Sequence, residues 1–414
     1  MFEQLFKFAS TVAKHESAPY AEERARYLVH CAQQGYSHAT LMLYARELLW
    51  VARKLSVYQS LQVTHSQIDA VAKDWTERER CWGQSINPCW THRRFMDVAK
   101  AWLRFLGYLQ EPIEPTPFGN YLDEFVAWMK HERGLADTTI EHNTGGVRQF
   151  LRWYASKEKT LKSIQLTDID VFLAEGRNNG WCRVSVKNMA NILRAFFRYA
   201  AMRGWCSPQL ADSIRGPRIF ALEALPCGPD WPDVQRLLAY MDTDQPRDIR
   251  DRAILLLLAI YGLRESEVTQ LRLDDIDWEQ DLLHVSRVKR QSAQTYPLLP
   301  VLGNAIIRYL EQIRPASDHR QLFLTLLPPF RPLSRGAVYG LTQRGFKALS
   351  IQATHRGPHA LRHACAAHLV AEGLSLKAIG DHLGHRSASA TRIYAKVDLP
   401  ALREVAAFDL GELL

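Results

Sequence analysis

Apolar residues recur at helical spacing along most of the chain. After Gly35, residues Leu43, Leu48, Val51 and Leu55 fall on one helix face; after Gly134, residues Ile140, Val147, Phe150, Leu151 and Tyr154 do the same. Each pattern is followed by a short apolar–Thr pair, Val63-Thr64 or Leu166-Thr167, and then by Ile-Asp, at 68–69 and 169–170. Each closes with an aromatic-rich helical stretch, 95–108 and 189–205, carrying Gly107 and Gly204. The offset is about 100 residues throughout, which predicts an all-helical unit present twice.

Beyond residue 228 the pattern becomes mixed. A buried helix is expected over 250–262. Two short strands, 282–287 and 295–299, flank a polar turn and read as a hairpin. Helical periodicity resumes at Leu302 and predicts further helices over 336–349, 359–372, 376–383, 388–396 and 399–408. Pro112, Pro115 and Pro117 mark one boundary, Gly216-Pro217 a second, and the stretch 225–229 a third. The expected fold is mainly α with a small β component. Its parts are an N-terminal helical unit at 1–117, a second helical unit at 118–217, a linker at 218–228 and a mixed α/β domain at 229–414.

Composition narrows the partners. The 414 residues are 47% hydrophobic and 23% charged, the balance of a folded chain of two to three domains. The net charge of +8 favours a polyanion. Residues 118–217 are the most basic segment for their length, with 14 Lys and Arg against 10 Asp and Glu, so they are the segment expected to grip phosphates. The longest apolar run, 253–263, is too short to cross a bilayer, and the first 16 residues lack the apolar core of a signal peptide. Seven scattered cysteines read as reduced thiols, placing the protein in a cytoplasm. Cys81, Cys89 and His92 match no standard zinc spacing, and no phosphate loop of the Walker type occurs, so neither metal nor nucleotide cofactor is expected.

Several short constellations carry candidate chemistry. Gly262-Leu263-Arg264-Glu265-Ser266-Glu267 follows the buried helix, with Arg264 and Glu267 three residues apart. In His359-Ala-Leu-Arg362-His363 the first His and the Arg share a helix face, with His363 beside it, a good arrangement for a phosphate. Leu383-Gly384-His385 follows, then Tyr394. Singly, each matches ordinary ion pairs or packed aromatics. Together, two arginines, two histidines, a hairpin lysine and a tyrosine supply cations and proton donors without a carboxylate cluster, which disfavours two-metal chemistry. Such a set suits in-line attack of a tyrosine hydroxyl on a phosphodiester.

The ordered set Gly262-Leu263-Arg264-x-Ser266-Glu267, Lys289, His359-x-Leu361-Arg362-His363, Leu383-Gly384-His385 and Tyr394 resembles the tyrosine recombinase (phage integrase) family over about 228–400. Residues 118–216 are similar in pattern to that family's helical core-binding domain. The resemblance implies a C-shaped DNA clamp in which Arg264 and Arg362 hold the scissile phosphate. It gives His359 an acid–base and phosphate-contacting role, His385 a hydrogen bond to the phosphate, and Tyr394 the role of nucleophile forming a 3′-phosphotyrosyl link. Glu267 would support the architecture, with His363 beside it, and Lys289 would protonate the leaving 5′ oxygen. The turn reads Val288-Lys289-Arg290 where the family usually has Gly-Lys-Gly, so Arg290 is the alternative acid.

The implied function is site-specific recombination that integrates, excises or resolves DNA without ATP or metal. The implied partners are double-stranded DNA bearing a recombination site, further copies in a tetrameric synapse, and other recombinase subunits. The implied place is the bacterial cytoplasm, at the nucleoid when DNA-bound. The alternatives are a DNA-binding accessory subunit of a recombination complex and a relaxing topoisomerase of the type IB kind.

Overall fold

The computed structural model describes residues 1–55, 62–81, 87–111, 117–157, 160–220, 228–287, 292–385 and 387–397. The described chain is mostly helical and falls into two compact units: Glu111–Glu223, and Met1–Gln110 together with Ala224–Leu414.

Residues 1–110 carry their own core. Helices Ala21–Gln33, His38–Leu55, His65–Cys81 and Pro88–Leu106 bury Leu28, Leu48, Ala52, Ile68, Phe95 and Trp102. Asn87 caps the last of them by accepting from the Trp90 N–H, and Gly107 ends it at φ +75°. A two-residue parallel ladder pairs Val63 with Leu109 and Thr64 with Gln110, which the periodicity did not show.

The unit Glu111–Glu223 repeats this order of helices: Gly119–His131, Asp137–Ala155, Leu166–Asn178 and Arg183–Met202. Their apolar stripes meet around Phe125, Phe150, Phe172, Phe196 and Phe197. Helices Ala21–Gln33 and Gly119–His131 are both preceded by an aromatic residue in the left-handed region, Tyr20 at φ 55° and Phe118 at φ 61°. The Val63-Thr64 strand has no counterpart: Leu166-Thr167 opens a helix instead.

In the last segment the helix Pro246–Ile260 is apolar on every side from Ala253 onward and packs against Pro300–Gln312 and Pro358–Ala371. The hairpin forms, but its second strand is Ser292–Pro297 rather than 295–299, because the register pairs Arg287 with Ser292 and Leu282 with Pro297. A third strand, Ile276–Asp277, extends the sheet beside Leu282–Leu283. The stretch 388–396 begins as a short helix, Ala388–Thr391, and continues as the 3-10 turn Arg392–Val397. The helix expected over 399–408 lies outside the described residues.

Candidate active site

The site begins where the central helix ends. Gly262 takes φ +57°, and a Cβ there would lie 2.4 Å from Leu383 Cδ2, so the chain turns against its neighbour only with glycine at this position. Arg264 then precedes the helix Glu265–Gln270, and Glu267 accepts from it twice. The Arg264 backbone N–H donates to Glu267 Oε2 (2.8 Å) and its Nη1 to Glu267 Oε1 (2.7 Å). Glu267 is buried, and its Oε1 accepts a second cation, Arg287 Nη1, at 3.2 Å. A buried carboxylate shared by two guanidiniums is fully ion-paired, which offsets its desolvation.

Arg362 projects from the helix Pro358–Ala371 and is 2% exposed. Its Nη1 donates to the Gly262 carbonyl and its Nη2 to the Leu383 carbonyl at 2.7 Å. Burial, then the neighbouring Arg264 charge, lower its pKa to about 10, so it remains a cation at neutral pH. Leu383 ends the helix Leu376–Leu383, which Gly384 closes at φ +60°. Carbonyls of this helix end accept from Arg362, from Arg287 (Leu383 O, 2.7 Å) and from Arg264 (Gly384 O, 3.4 Å). The negative end of the helix dipole therefore holds three like charges together.

These groups line a cavity of about 840 Å³, with Arg264, Arg287, His359, Arg362, Arg335 and Arg356 on its wall. His359 and Arg362 share this cavity as the helix-face argument required. His363 does not join them. It turns the other way, and its Nδ1 lies 2.9 Å from the Tyr394 hydroxyl. The His359 and His363 rings stand edge to face at 4.3 Å, so one imidazole faces the cavity and the next faces the tyrosine.

Tyr394 sits in the 3-10 turn at 2% exposure, packed with Cys365, Ala366 and Leu383. Burial pushes its pKa up to about 12 against the opposing effect of Arg362. His385 stacks parallel to it at 6.3 Å and pairs through Nδ1 with Thr391 Oγ1 at 2.7 Å. Burial, then Arg362 and Arg264, hold His385 at about 4; burial, then His359 and Arg362, do the same to His363. Both rings are neutral at physiological pH. Lys289 and Arg290 lie outside the described residues.

Arg287 was not anticipated as a site residue, yet it donates to Glu267, to the Leu383 carbonyl and to the Tyr296 hydroxyl. Its signal lay in the strand alternation: Leu283 and Val285 point inward, and Arg287 takes the next inward position. A charge on the apolar face of a strand asks for a partner. Among the described residues no cluster of His, Cys, Asp or Glu has the makings of a metal site. His92 pairs instead with Asp69 at 3.1 Å.

A model of the phage integrase family matches residues 231–399, and one of the phage integrase N-terminal SAM-like domain matches 122–204. The putative integrase/recombinase y4rA of Sinorhizobium fredii is 33% identical over 312 residues, 74% of this chain and 76% of that protein. The chain belongs to the tyrosine recombinase (phage integrase) family. Tyrosine recombinase XerA of Thermococcus kodakarensis is 31% identical over 285 residues, 68% of this chain and 93% of its own. In fold, the recombinase resembles XerH bound to a palindromic difH substrate, with a TM-score of 0.55 at 17% identity over 93% of this chain and 94% of that one. It also resembles lambda integrase residues 75–356 on a COC′ core site, with a TM-score of 0.52 at 18% identity over 67% and 94%. The protein is thus a site-specific DNA recombinase that cuts and rejoins strands by the tyrosine mechanism, and the readings as an accessory subunit or a relaxing topoisomerase are not favoured. Among the described residues no helix is long and apolar enough to cross a membrane.

Proposed function

We propose that Arg264 and Arg362 clamp the scissile phosphate, with His359 and His385 donating to it, and that Tyr394 is the nucleophile. The supporting observation is the convergence of both guanidiniums on one cavity, each oriented by carbonyls of the Leu383–Gly384 turn. Tyr394 Oη attacks the phosphorus in line, a P–O bond to the tyrosine forms, and the bond to the 5′ oxygen breaks. Lys289 gives the leaving oxygen its proton. The Tyr394 proton passes to a neutral imidazole; His363 already holds the hydroxyl. The 5′ hydroxyl of the partner strand then reverses the step. Because the ester conserves the bond energy, ATP has no role. Covalent trapping on a nicked suicide substrate tests the assignment: Tyr394→Phe must form no adduct.

Four copies act together on paired sites, with other recombinase subunits as further partners, in a bacterial cytoplasm at the nucleoid. Residues 118–217 grip DNA as the core-binding domain. Residues 1–117 are a second copy of that unit, supported by the matching helix order and the matched left-handed residues Tyr20 and Phe118. The basic residues of this unit divide by environment. Arg94 is drawn inward to the buried Glu47 (2.7 Å) and lies over Trp90, and Arg78 lies over Trp50, whereas Arg93 and Arg104 are exposed. Arg93 and Arg104 are the better candidates for phosphate contact.

A further inference from the structure

We propose that Arg287 is a positioning residue for strand cleavage, joining the hairpin to the two arginines that clamp the phosphate. The proposal rests on Arg264 and Arg362 forming that clamp.

Arg287 is 3% exposed, at the end of the strand Leu282–Arg287. Its Nη1 donates both to Glu267 Oε1 (3.2 Å) and to the Leu383 carbonyl (2.7 Å). Each of these acceptors also holds a clamp arginine: Glu267 Oε1 takes Arg264 Nη1, and the Leu383 carbonyl takes Arg362 Nη2. One nitrogen thus touches the orienting partner of both. Its Nη2 donates to the Tyr296 hydroxyl on the second hairpin strand (2.5 Å), and Tyr296 Oη donates to the His382 carbonyl (2.5 Å). Gln294, on the same strand, donates to the Asp381 carbonyl at 2.8 Å. The hairpin is therefore fastened to the end of the helix that precedes His385.

Gly384 is part of the same device. A Cβ there would lie 2.2 Å from Arg287 Cζ, so the guanidinium rests directly on the glycine backbone. Stability alone does not account for Arg287. A third cation is set beside two others, and its Nε is buried without a hydrogen-bond partner among the described residues. Both features cost folding energy. What the arrangement supplies is a fixed spacing of two guanidiniums, and misplacement by about 1 Å can cost ~100-fold in rate.

The test compares full-length Arg287→Lys, Arg287→Met and Tyr296→Phe with Arg264→Ala on a suicide substrate. One substrate version carries the native scissile phosphate and the other a neutral methylphosphonate. Lysine keeps the charge but not the planar fork. Arg287→Lys is expected to bind the site within about threefold of wild type and to cleave the native phosphate ~10–100-fold more slowly. On the methylphosphonate the defect should shrink, as it should for Arg264→Ala, because less charge needs offsetting; a purely structural defect would persist. Wild-type cleavage by Arg287→Lys and Arg287→Met, or a loss equal on both substrates, overturns the proposal. If Arg264→Ala also cleaves normally, the clamp assignment falls instead. Should Arg287→Met not fold, Arg287→Lys and Tyr296→Phe carry the comparison.

Discussion

The Tyr394 hydroxyl lies 2.9 Å from His363 Nδ1, and the two side chains form a pair set apart from the cavity that gathers the arginines. Tyr394 stays protonated far above neutrality, with its pKa near 12, so in the proposed role of nucleophile it needs a base. His363, held near 4, is neutral and able to accept. Tyr394, the proposed nucleophile, is thus stored beside a group able to accept its proton, under cover of a small apolar cluster.

Tyr394→Phe should abolish the covalent DNA adduct while leaving site binding nearly intact. The ring keeps its packing, and the fold loses one hydrogen bond, worth about 1 kcal/mol. Adduct trapping and gel-shift titration check this. A persisting phosphotyrosyl link would move the nucleophile elsewhere.

Arg264→Ala and Arg362→Ala should each slow cleavage by ~10²–10³, the usual cost of one preorganised donor. Their effects on stability should differ. Arg362 is 2% exposed and bonds two carbonyls, whereas the Arg264 side chain is 37% exposed. Melting temperatures should therefore fall more for Arg362→Ala, and equal falls would contradict the burial.

Lys289→Ala should recover on a substrate whose leaving atom is a bridging 5′ sulfur, since a thiolate leaves without a proton. Measured cleavage of the oxygen and sulfur substrates decides it. Failure of the sulfur to rescue would transfer the role of acid, with Arg290 tested next.

Acid should weaken the fold between pH 6.5 and about 4. His385 and His363 have folded-state pKa values near 4 against 6.5 when unfolded, so in that window the unfolded chain binds more protons and stability rises with pH. Their contribution is full above 6.5 and is lost as pH falls. His385→Asn should flatten the pH dependence of the melting temperature over this range. A parallel curve would mean that His385 is not held neutral.

Deleting residues 1–117 should weaken binding to the full site and flatten its salt dependence, because fewer phosphates are neutralised. Cleavage should survive at high protein concentration, since all the proposed catalytic residues follow residue 260. An unchanged salt slope with lost assembly would assign this unit to protein contact.

Much of this was legible in the chain. Helical periodicity located the two helical bundles because each helix buries one stripe against its own neighbours, as Leu48 and Ile68 do in the first and Phe150 and Ile169 in the second. The boxes around Arg264, His359–Arg362, Gly384–His385 and Tyr394 were readable because each is local, set by a helix turn or a cap. The strand ladder of Val63 with Leu109 was not readable, since two residues carry no period of their own.

By itself, then, the sequence determined the mainly helical fold class, the family and the chemical groups available. Tertiary structure alone decided which groups meet. His359 and His363 are four residues apart on one helix, yet one faces the arginine-lined cavity and the other Tyr394, because packing of the 3-10 turn places Tyr394 against the second ring. Arg287 acquires its partners from chain segments 20 and 96 residues away, Glu267 and Leu383, and no local pattern encodes contacts at that separation.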